Sequence, residues 1–412
     1  MAKKVQRRSK SGNTKKEGRK NGRSSKASSS TLRFAHPFFT PIPPEHRAVH
    51  AAFGDRLTTH IKGTLHPIPR PTGNAVMTLA DVIGKEGANE IAASGRLSFH
   101  TVGDTGKRMD SPQGDVAEAM AKDFDVAHPG SSPAFFFHLG DVVYGHHKDQ
   151  SYRQEFYEPY IHYPGKIIAI PGNHDGEVFP SSDPQSLKAF QDNFCSRSQS
   201  VPAIAGSIFR QTMNQPGVYW LLDAPFVDVV GLYSNSAENP GYISGQIPGQ
   251  LQSTWLVNTL KRIAKERAAG KRKALIIATH HPPFTSGGHS PSDDMLKEID
   301  AACQSASVMP DFFLSGHAHN YQRYTRFVQR GNRTLEIPYL VVGTGGFADS
   351  NVPEATGSQT GDHVFVKSRK GFGYALITVD AQRINCQYTA VDGASRQRFD
   401  TVTVNLATSK VS

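Results

Sequence analysis

Five short loops in this chain carry side chains that bind metal ions, four of them beside glycine. They are Gly103-Asp104-Thr105-Gly106, Gly140-Asp141-Val142-Val143-Tyr144, Gly172-Asn173-His174-Asp175, Thr279-His280-His281-Pro282 and Gly316-His317-Ala318-His319. The side-chain types make chemical sense together. Two divalent or trivalent ions about 3.5–4 Å apart clamp a phosphoryl group and generate a hydroxide nucleophile. Asp141 suits a bridging carboxylate. Asp104 adds a hard oxygen donor, and His280, His317 and His319 supply imidazoles. Any one loop alone is an ordinary turn signal. Their force lies in order, because each follows a short apolar run that reads as a strand.

Those runs are Leu97–Val102, Ala134–Leu139, Lys166–Ile170, Ala274–Ala278, Phe312–Leu314 and Tyr339–Val342. Helical patterns fall between several of them, at Asp115–Phe124, Gln185–Phe194, Gln250–Arg267 and Met295–Ala302. Strands alternating with helices predict an α/β layered domain. Ligands gather at the carboxyl ends of strands in such domains, so the five loops are expected to converge. Two further runs, Val218–Leu222 and Val227–Leu232, have no helix between them and suggest a second, partly antiparallel sheet. The end of the chain is strand-rich at Tyr374–Val379, Ile384–Ala390 and Thr401–Val404.

In this order the loops resemble the calcineurin-like metallophosphoesterases, and within them the purple acid phosphatases. Most of that superfamily opens with Asp-x-His, but Thr105-Gly106 offers no histidine here. Instead Tyr144 follows Asp141 at the third position, the Asp-x-x-Tyr of purple acid phosphatases. The resemblance implies a layered β-sandwich flanked by helices (αββα). It implies two metals. The first is held by Asp104, Asp141, Tyr144 and His319, and the phenolate favours Fe(III), whose charge-transfer band colours the family. The second is held by Asp141, Asn173, His280 and His317, and is Fe(II), Zn or Mn. His280 is favoured over His281 because the family places its ligand two residues before proline. His174, with Asp175 to orient it, and His289 match catalytic positions. Asn320, Tyr321 and Arg323 match a stretch near the site. The implied reaction is phosphomonoester hydrolysis by direct attack of a metal-bound hydroxide, with His174 or His289 as general acid. A phosphodiesterase or nucleotidase of the same superfamily is the alternative enzyme.

The 412 residues carry a formal net charge of +10 and a pI near 9.4. Residues 1–33 account for it, with twelve basic residues against one acidic, a net +11; the remaining residues stand at −1. The tail is Lys-, Arg-, Ser- and Gly-rich and is expected to be disordered. It offers weak contact with a polyanion, so a nucleic-acid-binding protein with a vestigial metal site is the rival from another class. Residues 34–95 read as a Pro-rich irregular lead-in, and residues 96–412 as the catalytic domain. No apolar run of about 18 residues predicts a transmembrane helix. No export signal follows the basic start, which points to the cytoplasm, whereas the resemblance alone suggests secretion. Three scattered cysteines form neither a disulfide framework nor a zinc ribbon.

Overall fold

The computed structural model describes residues 67–412, apart from 126, 146–147, 179–184, 245–249 and 354–355. The basic tail and much of the expected lead-in lie outside the described residues. In chain order the strands are β1 (Val76–Thr78), β2 (Arg96–Val102), β3 (Phe135–His138), β4 (Lys166–Ala169), β5 (Trp220–Asp223), β6 (Val227–Gly231), β7 (Ala274–Ala278), β8 (Phe312–Ser315), β9 (Tyr321–Arg330), β10 (Arg333–Val342), β11 (Gln359–Thr360), β12 (His363–Arg369), β13 (Phe372–Asp380), β14 (Arg383–Asp392), β15 (Ser395–Asn405) and β16 (Lys410–Val411). The helices are α1 (Leu79–Ser94), α2 (Pro112–Ala121), α3 (Lys148–Tyr152), α4 (Asn173–Gly176), α5 (Lys188–Phe194), α6 (Gln250–Ala268) and α7 (Asp293–Ala306).

Two mixed sheets stack on one another. One runs β1-β5-β6-β7-β8-β10-β9-β12-β11, the other β16-β15-β14-β13-β2-β3-β4. Apolar doublets show why both faces of the first sheet are covered. Leu222, Ile276 and Phe312 belong to the core shared with the second sheet, while Leu221, Ile277 and Phe313 belong to a separate core under helices. Across the sandwich Phe137 meets Trp220 with ring centroids 5.1 Å apart, and the Trp220 indole N–H donates to the Ala169 carbonyl at 3.0 Å. On the outer face, α7 buries Met295, Leu296, Ile299, Ala302, Cys303 and Ala306, the stripe of a helix with period 3.6. Each large side chain there contributes about 1.5–3 kcal/mol. Helix α2 packs against β13 and β14 of the other sheet. The result is a layered sandwich flanked by helices, as the sequence predicts. No helix among the described residues is long and apolar enough to cross a membrane.

Two expectations need correction. Val76–Ser94 is not irregular. Thr78 caps α1 through a reciprocal pair with Asp81, its backbone N–H reaching the Asp81 carboxylate at 2.7 Å, and β1 pairs with β5. The second correction concerns β5 and β6. They are antiparallel to each other but join the sheet of β7, β8 and β10, because β6 pairs in parallel with β7. The six runs first read as one series are instead split, with β2, β3 and β4 in one sheet and β7, β8 and β10 in the other.

Candidate metal centre

The split decides how the site is built. Asp104, Asp141 and Asn173 follow β2, β3 and β4 of one sheet, while His280 and His317 follow β7 and β8 of the other. The five loops meet at the seam. Asp104 N–H donates to the Gly140 carbonyl at 3.0 Å, and Thr105 N–H donates to that of Asp141 at 3.1 Å. The His317 N–H donates to Asp104 Oδ2 at 2.8 Å and so ties the two sheets together. Asp104, Asp141 and His317 all have left-handed backbone, with φ of 60°, 54° and 69°. Non-glycine residues rarely adopt it, and such strain gathers at functional sites. Packing leaves no slack either: a Cβ on Gly172 would sit 2.1 Å from Asp141 Oδ1.

Ligand-type atoms of Asp141, His280 and His317 all lie within 4.8 Å of one another, and all three residues are buried. His280 Nδ1 donates to the Leu139 carbonyl at 2.9 Å. Its Nε2 then faces Asp141 Oδ2 at 3.2 Å and Asn173 Oδ1 at 3.1 Å. The adjacent His281 turns elsewhere, its nitrogens 2.8 Å from Ser234 Oγ and 2.8 Å from the Ala237 carbonyl. His319 Nε2 lies 3.5 Å from Asp104 Oδ1. The Tyr144 ring stacks on Phe347 at 3.5 Å and sits 4.4 Å from the ring of His174.

Two buried oxygens, Asp104 Oδ1 and the Tyr144 hydroxyl, have no hydrogen-bond partner among the described residues. The buried carboxylates around His280 show the same shortage of positive charge. Burial opposes a charge on His280, yet the Asp141 and Asp104 carboxylates prevail and raise its pKa to about 9. Burial pushes Asp104 up to about 7 and, with the neighbouring carboxylates, holds the Tyr144 phenol well above its ordinary value. Burial and the facing imidazole of His289 push His319 down to about 3. Carboxylates, an amide oxygen, imidazoles and a phenol with unfilled lone pairs fit a pair of cations.

Around this set, His174 donates its backbone N–H to Asp141 Oδ1 at 3.0 Å. Its Nδ1 lies 3.0 Å from Glu177 Oε2, and Asp141 and Glu177 together overcome burial to raise its pKa to about 9. Asp175 does not orient this ring. Its carboxylate accepts the backbone N–H groups of Gly172, Val142 and Val143 at 2.9, 3.2 and 3.3 Å, fixing the Asp141 loop instead. His289 stacks near His317 with centroids 4.0 Å apart, and its Nδ1 is 3.4 Å from Glu238 Oε1. Arg323 is committed away from the site: its Nε and Nη2 donate to Asp400 at 2.7 and 3.2 Å. Asn320 binds the Gly287 carbonyl and Ser350, and Tyr321 donates to Asp400 at 2.8 Å. Sequence reasoning missed Glu177, Glu238 and Phe347. Only Glu177, four residues beyond Asn173, stood close enough to a motif to be noticed.

Residues 97–321 match the model of the calcineurin-like phosphoesterases. The chain belongs to the calcineurin-like phosphoesterase family. It is 24% identical over 335 residues to tartrate-resistant acid phosphatase type 5 of Sus scrofa, spanning 78% of this chain and 91% of that one. It is 23% identical over 180 residues to the probable purple acid phosphatase 20 of Arabidopsis thaliana, spanning 42% of this chain and 36% of that one. Among solved structures, a dimetal phosphatase from Danio rerio superposes with a TM-score of 0.43 and 13% identity over 75% of this chain and 98% of that one. A calcineurin-like phosphoesterase implies a dinuclear metal centre and a phosphoester substrate. In this member Asp141, His280 and His317 form a candidate ligand group.

Proposed function

We propose that this calcineurin-like phosphoesterase is a dinuclear-metal acid phosphatase of the purple type, acting on phosphomonoesters. The observation that carries the reading is the Tyr144 hydroxyl, buried beside the Asp141 and Asp104 carboxylates and without hydrogen-bond geometry to any described residue. Asp104, Asp141, Tyr144 and His319 would hold Fe(III). Asp141, Asn173, His280 and His317 would hold Fe(II), Zn or Mn. When bound, the metals supply Lewis acidity toward the phosphoryl oxygens and an activated water. The chain's own residues do the rest. Glu177 fixes the His174 ring through Nδ1 and favours its protonated form. The other ring nitrogen of His174 is assigned the proton that the leaving oxygen receives. Glu238 holds His289 against His317, where it offers a second donor. Asp175 keeps the Asp141 loop in register, so the bridging carboxylate does not swing when substrate arrives.

The test is metal content, visible spectrum and hydrolysis of p-nitrophenyl phosphate against its bis-ester by the purified full chain. Iron, a tyrosinate charge-transfer band and faster turnover of the monoester are expected. Asp141→Asn is expected to weaken both metals and abolish turnover. A colourless, iron-free protein refutes the Tyr144 site, and preference for the bis-ester refutes the monoesterase assignment.

A further inference from the structure

The strands that deliver His280 and His317 at one end begin, at the other, beside Arg272 and Asp311. From Asp311 to His317 is six residues, about 20 Å at roughly 3.3 Å each. At that remote end a cavity of about 270 Å³ is lined by Arg267, Arg272, Arg330, Arg333, Asp311 and Glu336. Its charges do not balance. Asp311 accepts from Arg267 Nη2 at 2.6 Å, Arg272 Nη2 at 2.9 Å and the Leu275 N–H at 2.9 Å, so one carboxylate answers two guanidinium groups. Arg330 and Arg333 donate to the carbonyls of Ser307 and Ala407, which carry no charge. Glu336 is matched by Lys410 at 2.8 Å. Four lining arginines against two lining carboxylates leave a net +2, on residues 34–412 whose formal charge is −1. The Arg267 Nε is buried and has no hydrogen-bond partner among the described residues.

We propose that this cavity binds a short inorganic oligophosphate. Guanidinium forks match pairs of phosphate oxygens and keep their charge at any working pH. The space is concave and small, unlike the extended basic stripe that follows a nucleic-acid backbone. None of the lining residues is aromatic, so no platform exists on which a nucleobase would stack. A chain of two or three phosphates spans the arginines from α6, the start of β7 and the β9–β10 turn, and supplies the negative charge that the Ser307 and Ala407 carbonyls do not. The site is independent of the catalytic reading.

The test is calorimetric titration of the full chain with tripolyphosphate at low salt, in an Asp141→Asn background that removes hydrolysis and metal extraction at the catalytic centre. One equivalent is expected to bind, with affinity falling as salt rises. Adding Arg272→Gln and Arg333→Gln, both at exposed positions, is expected to weaken binding at least tenfold, while the basic tail is unchanged in every protein. Should that protein lose its thermal transition, Arg333→Gln alone replaces it and is expected to weaken binding about threefold. Absence of binding in the parent, or equal affinity in the arginine variants, overturns the proposal.

Discussion

Replacing Tyr144 by Phe separates the two states of the site by sign. The ring remains, and with it the stacking on Phe347 at 3.5 Å, so the change removes the hydroxyl alone. That hydroxyl is buried and has no hydrogen-bond partner among the described residues. A buried polar group without a partner costs about 1–3 kcal/mol, so its removal stabilises the stripped protein by that amount. The unfolding entropy of the 346 residues from 67 onward, at about 2.1 cal/mol/K each, is roughly 0.7 kcal/mol/K. The expected rise in Tm is therefore about 1–4 °C. On the proposed assignment the sign reverses with metals bound, because the phenolate would then be a ligand. Iron affinity is expected to fall at least about tenfold, the visible band to vanish and the holo Tm to drop. The assay is differential scanning calorimetry of wild type and Tyr144→Phe, each stripped with chelator and each reloaded, beside absorption spectra. A stripped variant less stable than wild type refutes the orphan hydroxyl. A reloaded variant that keeps its colour refutes the ligand.

Other perturbations probe the surroundings. His174→Ala is expected to keep two metals per chain while kcat falls about 10²–10⁴-fold; metal loss measured by plasma emission contradicts its placement outside the ligand set. Gly172→Ala drives a Cβ to 2.1 Å from Asp141 Oδ1, so it should lose metal and about 1–3 kcal/mol of urea stability, and a fully loaded variant overturns the packing argument. Arg323→Ala leaves the buried Asp400 short of its main partner and is expected to cost about 3 kcal/mol with KM unchanged, whereas a raised KM would mean substrate contact after all. His100 is buried between Asp123 and Tyr163, and burial, helped by the more distant Arg396, lowers its pKa despite the Asp123 carboxylate. The unfolded chain then binds the extra proton, so this contribution is complete above about pH 6.5 and is lost as pH falls below it. Urea midpoints at pH 7.5 and 5 should differ less in His100→Asn than in wild type, and equal slopes would dismiss His100.

Much of the site was legible because its signals are local. A ligand must follow a strand through a tight turn, and glycine beside aspartate or histidine records that need within four residues. Strand β7 matched its apolar run residue for residue for the same reason. What escaped was set by tertiary contact. Tyr321–Arg330 is too polar to read as a strand, and its arginines are tolerated because Asp400 meets Arg323 while Asp300 and Asp362 meet Arg326. Glu238 lies in a loop after β6 that carries no histidine or aspartate beside it, and it matters only because Asn173 and His289 arrive from elsewhere. The α1 helix was hidden by Gly84, whose φ of +82° breaks the pattern, although Thr78 and Asp81 announce its start. Sheet membership had no local signature, since a strand followed by a helix reads alike on either layer.

Asp104 and the histidine whose backbone it binds lie 213 residues apart, on different sheets. During synthesis at about 5–20 residues per second, roughly 10–40 s pass between them. For most of that interval, until His280 emerges after β7, the nascent chain carries Asp104, Asp141 and Asn173 with no imidazole from the opposite layer to close the cage. A metal pair held by these loops would thus have no finished berth until the second layer has emerged and docked, which would make metal capture a late event and leave chains truncated before His317 unable to retain it.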